Sequence, residues 1–152
     1  MAVNLTITLK NTGEIMAKLR KMPVAMTREL DTAVKRTVAL VQAKTIKEAP
    51  VNKQSGGGNL RQSITSVITG TAKGKVEVGS GYGLFVHEGT RPHIILPRNK
   101  QALANVRGGQ FFGKKVQHTG TRPNPFMKRA VEESAEEIQN YFSEAVERVA
   151  KT

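Results

Sequence analysis

His87-Glu88-Gly89-Thr90-Arg91-Pro92 ("HEGTRP", 87–92) returns thirty-one residues later as "HTGTRP" (118–123), with five of six residues the same. Two readings compete. In one, His87, Glu88 and His118 converge on a reactive centre. In the other, the chain needs one backbone turn twice. Glycine supplies a positive φ, and an arginine before proline is pushed into an extended conformation. "GTRP" then means end a strand, turn sharply and leave extended. Its two copies, Gly89–Pro92 and Gly120–Pro123, mark the entry and exit of a single excursion, with Arg91 and Arg122 held near its base. Two copies are too few for a solenoid.

Reactive chemistry fits these residues less well. Zinc wants three or four His, Asp or Glu side chains at tetrahedral geometry. The chain has three histidines, His87, His93 and His118, with Glu88 beside the first. A zincin sets its histidines four apart on one helix face, whereas His87 and His93 are six apart across Gly89 and Pro92. If a strand runs through them, His87 and Glu88 point to opposite faces. Glu77 and Glu88 are the only acids between Glu48 and Glu132, so the central region lacks a carboxylate pair for acid–base work. "NKQSGGGN" (52–59) lacks the Gly-Lys-Ser/Thr ending of a phosphate-binding loop, and "SGYG" (80–83) has the wrong glycine spacing for a dinucleotide. No serine elbow is present. The chain reads as non-enzymatic, with no cofactor and no metal. A metal hydrolase using the three histidines stays as the third reading.

Working outward, "SITSVIT" (63–69), "KVEVGS" (75–80) and "YGLFVHE" (82–88) read as three strands of an antiparallel meander, with Gly74 in the first turn and Gly79 to Gly81 in the second. "VNLTITL" (3–9) alternates apolar and polar residues, the period of a half-buried strand. Gly13 to Lys21 reads as a short helix stopped by Pro23. From Val24 to Glu48, Met26, Leu30, Val34, Val38 and Val41 fall at three- and four-residue steps, which predicts a long amphipathic helix ended by Pro50. The segment 93–117 is weakly patterned, with apolar islands "IIL" and "QFF" and a candidate hairpin turn at "RGG" (107–109). A last helix opens with Asn124 as cap and Pro125 at its first position. Its predicted stripe is Val131, Ala135, Ile138, Phe142, Ala145 and Val149. The fold class is α+β: a small antiparallel β-sheet packed against a long helix of the N-terminal half and a C-terminal helix. One domain spans 1–152, and 93–117 is inserted as a mobile basic loop or hairpin.

Charge narrows the function. The 152 residues carry a net +12, distributed as +16 over residues 1–131 and −4 over 132–152. No carboxylate lies between Gly89 and Val131, while Arg91, Arg98, Lys100, Arg107, Lys114, Lys115, Arg122, Lys128 and Arg129 are all basic. Such a surface repels itself until an acidic neighbour or a phosphate backbone compensates it. The same segment keeps Ile94, Ile95, Leu96, Phe111 and Phe112, which a fully solvated tail would hardly carry. It is therefore expected to dock on a neighbour, through Arg91, Arg98, Lys100, Arg107, Phe111, Phe112, Lys114, Lys115 and Arg122. The chain has no cysteine, which suits a reducing compartment. No apolar run approaches the ~18 residues of a membrane span, and no signal peptide is seen, so a soluble protein working inside a cell is expected. A basic nucleic-acid-binding module is the runner-up, weakened by two Tyr and five Phe that form no stacking platform.

The ordered set "APV…G-NLRQSI", "GYGLFVHEGTRPH" and "HTGTRPNPFMKRAVEE" resembles the tail-completion, or head–tail joining, proteins of long-tailed bacteriophages and prophages. The matching positions are Ala49, Pro50, Val51, Gly58, Leu60, Arg61, Ser63 and Ile64. Tyr82, Phe85, Val86, Glu88, Gly89 and Thr90 follow, and then Pro125, Phe126, Met127 and Ala130. Within this signature Tyr82, Glu88, Gly89, Thr90, Pro125 and Phe126, together with Gly120 and Thr121, are taken as turn and fold positions. Many members have a shorter segment between Gly-Thr and Pro-Phe. The resemblance implies a non-catalytic virion protein of the tail or neck, assembled in the host cytoplasm and closing the head-proximal end of the tail as a ring of six. Its partners would be copies of itself, the tail tube and neck or connector proteins, with non-specific contact to packaged DNA and none to membrane. In such a ring the basic loop and an acidic face of the C-terminal helix are the candidate contacting patches.

Overall fold

The computed structural model describes residues 5–6, 24–51, 57–98, 101–105 and 109–150. The helix 13–21 lies outside these residues, as do most of the 3–9 strand and of the 52–59 loop. Two long helices, α1 (Val24–Glu48) and α4 (Phe126–Ala150), frame the first of two compact units, which runs through residue 84 and resumes at Pro125. α1 has the predicted bounds and buries Met26, Leu30, Ala33, Val34, Thr37, Val38, Val41 and Thr45 along one face. It packs antiparallel on α4. Glu29 meets Arg148, Arg36 meets Glu144 at 2.8 Å, and Glu48 meets Arg129 at 2.8 Å, so sequence positions rise on one helix as they fall on the other.

Small residues are buried along this seam. Thr45 and Ser134 are fully buried, and each hydroxyl bonds back to its own helix, to the carbonyls of Val41 and Ala130, both at 2.6 Å. The α4 seam differs from the predicted stripe by about one residue. Phe126, Met127, Ala130, Ser134 and Ala145 are buried, and Ala135 is exposed. Serine at 134 hid the seam, because its hydroxyl is satisfied inside the helix and tolerates burial.

A three-stranded antiparallel sheet of β1 (Leu5–Thr6), β2 (Ile64–Gly70) and β3 (Lys73–Val78), in the order β1-β3-β2, packs on α1. A short helix α2 (Asn59–Gln62) leads into it. Ile64, Val76 and Val78 are its buried residues. The first turn is Thr71–Ala72 rather than a glycine turn. Gly74 lies within β3 opposite Ile68, where a Cβ would stand 2.6 Å from Val38 Cγ2 of α1. The glycine is there for close helix–sheet approach. Ala72 takes the positive φ of 51° instead, and its N–H donates to Asp31 Oδ1 on α1 at 3.2 Å.

The third expected strand is a helix, α3 (Gly83–Glu88). "LFV" is an unbroken apolar run rather than an alternation, and such a run fits a short buried helix as well as a strand. The meander therefore closes with β1 beside β3, and residues 82–88 leave the sheet. The predicted opposite orientation of His87 and Glu88 falls with the strand: His87 Nδ1 and Glu88 Oε1 are 2.7 Å apart. The second compact unit is Phe85–Asn124. It holds two antiparallel ribbons, β4 (His93–Ile95) with β7 (Val116–His118) and β5 (Leu103–Asn105) with β6 (Gln110–Gly113). Of the expected 107–109 turn only Gly109, at φ 62°, is among the described residues.

Candidate functional site

The two copies of the motif meet. The Thr90 N–H donates to Thr121 O at 3.0 Å and the Thr121 N–H to Thr90 O at 3.1 Å. On one side of this pair the Asn124 N–H reaches His87 O, and on the other His93, Ile94 and Ile95 pair with His118, Gln117 and Val116. The Thr90–Thr121 bridge and the β4–β7 ribbon share one register, so the two segments run antiparallel past each other after α3 ends. That register sets Gly89 opposite Arg122 and Arg91 opposite Gly120. "GTR" therefore pairs with its own repeat about a local two-fold at Thr90–Thr121.

The glycines make this pairing close. Gly89 and Gly120 have φ values of 74° and 87°, in the left-handed region that disfavours a side chain. A Cβ on Gly89 would overlap Thr121 O and the Pro123 nitrogen. One on Gly120 would overlap Thr90 O and the backbone of Arg91 and Pro92. Each glycine admits the other copy's Thr-Arg-Pro backbone. The repeat is a clasp of two interlocking halves.

The histidines are divided by this geometry. His93 and His118 are cross-strand partners with ring centroids 5.0 Å apart. The Gly120 N–H donates to His118 Nδ1 at 3.0 Å, and His93 Nδ1–H donates to Arg91 O at 2.9 Å. Both inner nitrogens thus serve the clasp backbone. His87 lies instead against Glu88. Among the described residues no three His, Asp or Glu side chains are grouped to hold a metal ion.

The other residues singled out by sequence are mostly on the surface. Arg91, Arg98, Lys114, Lys115 and Arg122 are exposed, and none has an ion pair among the described residues. Lys100 and Arg107 lie outside those residues. Phe111 is 72% exposed and Phe112 45%, with Ile94 at 52% and Leu96 at 61%, so the ribbons carry apolar and cationic surface together. Tyr82 is 46% exposed in the turn before α3. Phe126 is fully buried, and the carbonyl of Pro125 accepts the Arg129 N–H at 3.1 Å, which starts α4 one residue later than the sequence reading had it. No helix among the described residues is long and apolar enough to cross a membrane.

Three residues carry structural roles that the sequence reading did not assign. Arg61 donates from Nε to Ala49 O at 2.8 Å and from Nη2 to Lys47 O at 3.0 Å, closing the carbonyls at the end of α1. Asp31 ties α1 to the β2–β3 turn. Its hydrogen bond from Lys35, joined by the Ala72 N–H, holds its carboxyl below the ordinary value. Arg36 does the same for Glu144 and stacks over the Tyr141 ring at 3.9 Å. Such long-range partners leave no periodic trace, although the charge at 61 after an apolar 60 was visible.

A family model described as a bacteriophage HK97-gp10 tail component matches residues 13–89, half of the chain. The match ends at the first clasp glycine. Comparison with curated proteins and with solved structures gives no match.

Proposed function

This chain belongs to the HK97-gp10 family of bacteriophage tail components, and from that premise we propose that it closes the head-proximal end of the tail, or joins head to tail, as a ring of copies. A phage tail component is a structural part of the virion and works against other virion proteins. The finer reading is that it is non-catalytic, is assembled in the host cytoplasm, and meets the tail tube and neck or connector proteins. The observation that carries this reading is the clasped second unit. It displays Phe111, Ile94 and Leu96 beside Arg91, Arg98, Lys114, Lys115 and Arg122, which have no ion pair among the described residues, and it carries no carboxylate from Gly89 onward. Two-stranded ribbons of this kind are marginal alone and gain stability from a covering surface.

Removing the chain from its phage tests the proposal. Electron microscopy of the lysate is expected to show filled heads and tails that do not join, and normal particles would contradict it. The basic surface also supports a second reading, direct binding of nucleic acid. That reading requires the purified chain to bind duplex DNA with affinity falling steeply as salt rises.

A further inference from the structure

Resting on the reading that copies of this chain meet in a ring, we infer that Arg91 and Arg122 dock on the C-terminal helix of a second copy, through Glu133, Glu136 and Glu137.

The clasp fixes the basic half of this contact. Arg91 and Arg122 each follow one of the two bridged threonines, so both stand beside the Thr90–Thr121 pair. Both are exposed and have no ion pair among the described residues. The β4–β7 pairing beyond them opens with His93 opposite His118, and neither strand carries an acid. Glu88, just before Gly89, is engaged by His87. Two exposed cations on a segment without carboxylates repel each other, and an external acid relieves that.

The structure also sorts the six glutamates of α4, which the sequence alone leaves equivalent. Glu132 faces Lys128 at 3.8 Å, Glu144 is held by Arg36, and Glu147 has a partner of its own. Glu133, Glu136 and Glu137 remain, exposed and without an ion pair among the described residues. At the helical rise, Glu133 and Glu137 stand about 6 Å apart along the axis, one turn from each other on one face. Guanidinium forks suit paired carboxylates better than lysine point charges do. The acceptor is thus a helix face whose exposed carboxylates have no ion pair among the described residues. The donor and acceptor patches differ, so the contact is head-to-tail and propagates from copy to copy until the rotation closes.

Charge exchange in the full-length chain tests this by sedimentation at low ionic strength. R91E/R122E and E133R/E137R are each expected to weaken wild-type self-association by about tenfold or more, and an equimolar mixture of the two variants is expected to recover it. R91Q/R122Q serves as a milder pair if the glutamates disturb the clasp, with the same expected loss. If the wild type associates and the variants do so equally well, this pairing is wrong while the ring reading stands. If the wild type stays monomeric at every concentration, the ring reading fails with it. Loss of duplex-DNA binding with self-association unchanged would assign the arginines to nucleic acid and overturn the inference.

Discussion

Thr90 and Thr121 exchange both backbone hydrogen bonds, at 3.0 and 3.1 Å, at the centre of a sequence motif that pairs with its own repeat. Neither threonine needs to react with anything for the motif to recur. A self-complementary clasp requires the same residues on both strands, because each glycine makes room for the other copy's backbone.

Alanine at either clasp glycine is therefore expected to cost about 1–3 kcal/mol, through left-handed strain and backbone overlap together. The loss should be local. In G89A or G120A, amide exchange at Thr90 and Thr121 should accelerate while α1 and α4 amides keep their protection. Gly109, at φ 62° with open space where a Cβ would go, supplies the control, and G109A should cost only about 1 kcal/mol.

How much of this was legible in the sequence depends on range. α1 was readable to the residue, since its apolar steps and Pro50 are local signals. The α+β class and the placing of the two GTRP copies at the base of one excursion followed from residue type and spacing, but their direct pairing did not. The 82–88 helix was not legible, because "LFV" carries no period. The turn at Ala72 was equally hidden: its positive φ depends on Asp31, forty-one residues away. Periodicity also placed Ala135 on the α4 seam in place of Ser134, because a hydroxyl that bonds its own helix looks polar in sequence and behaves as small in the core.

Arg61 closes the carbonyls that end α1, and a fork is needed to reach both Lys47 O and Ala49 O. R61A is expected to lower unfolding free energy by about 1–3 kcal/mol, the range for hydrogen bonds to a charged donor. R61K should recover less than half, because an ammonium cannot span the two acceptors in the same geometry. Denaturant midpoints at constant m-value would show both.

Thr37 Oγ1 is buried in the α1 core without a hydrogen-bond partner among the described residues, whereas the equally buried Thr45 hydroxyl is satisfied by Val41 O. T37V should stabilise the protein by about 1 kcal/mol by removing an unpaired polar group of the same shape. T45V should change it by much less. A thermal melt in which T37V lowers the midpoint would contradict the assignment.

Asp31 and Glu144 have carboxyls held below their ordinary values of 3.8 and 4.5, by Lys35 and Arg36 first among their partners. A folded-state value below the unfolded one gives stability that is fully present above the ordinary range and lost as pH falls through the lowered values. Acid should therefore weaken the fold below about pH 4. The double variant D31N/E144Q should be less stable at neutral pH and show a shallower loss in acid. An unchanged acid slope would show that other groups are responsible.

The most direct test of the central claim compares hydrogen exchange across residues 90–121 in the isolated chain and in purified particles. A ribbon completed by neighbouring subunits should gain strong protection at His93–Ile95 and Gln110–His118 on assembly, with little change along α1. Equal exchange in the two states, with the chain present in the particle, would show that nothing covers the ribbon and would contradict the account.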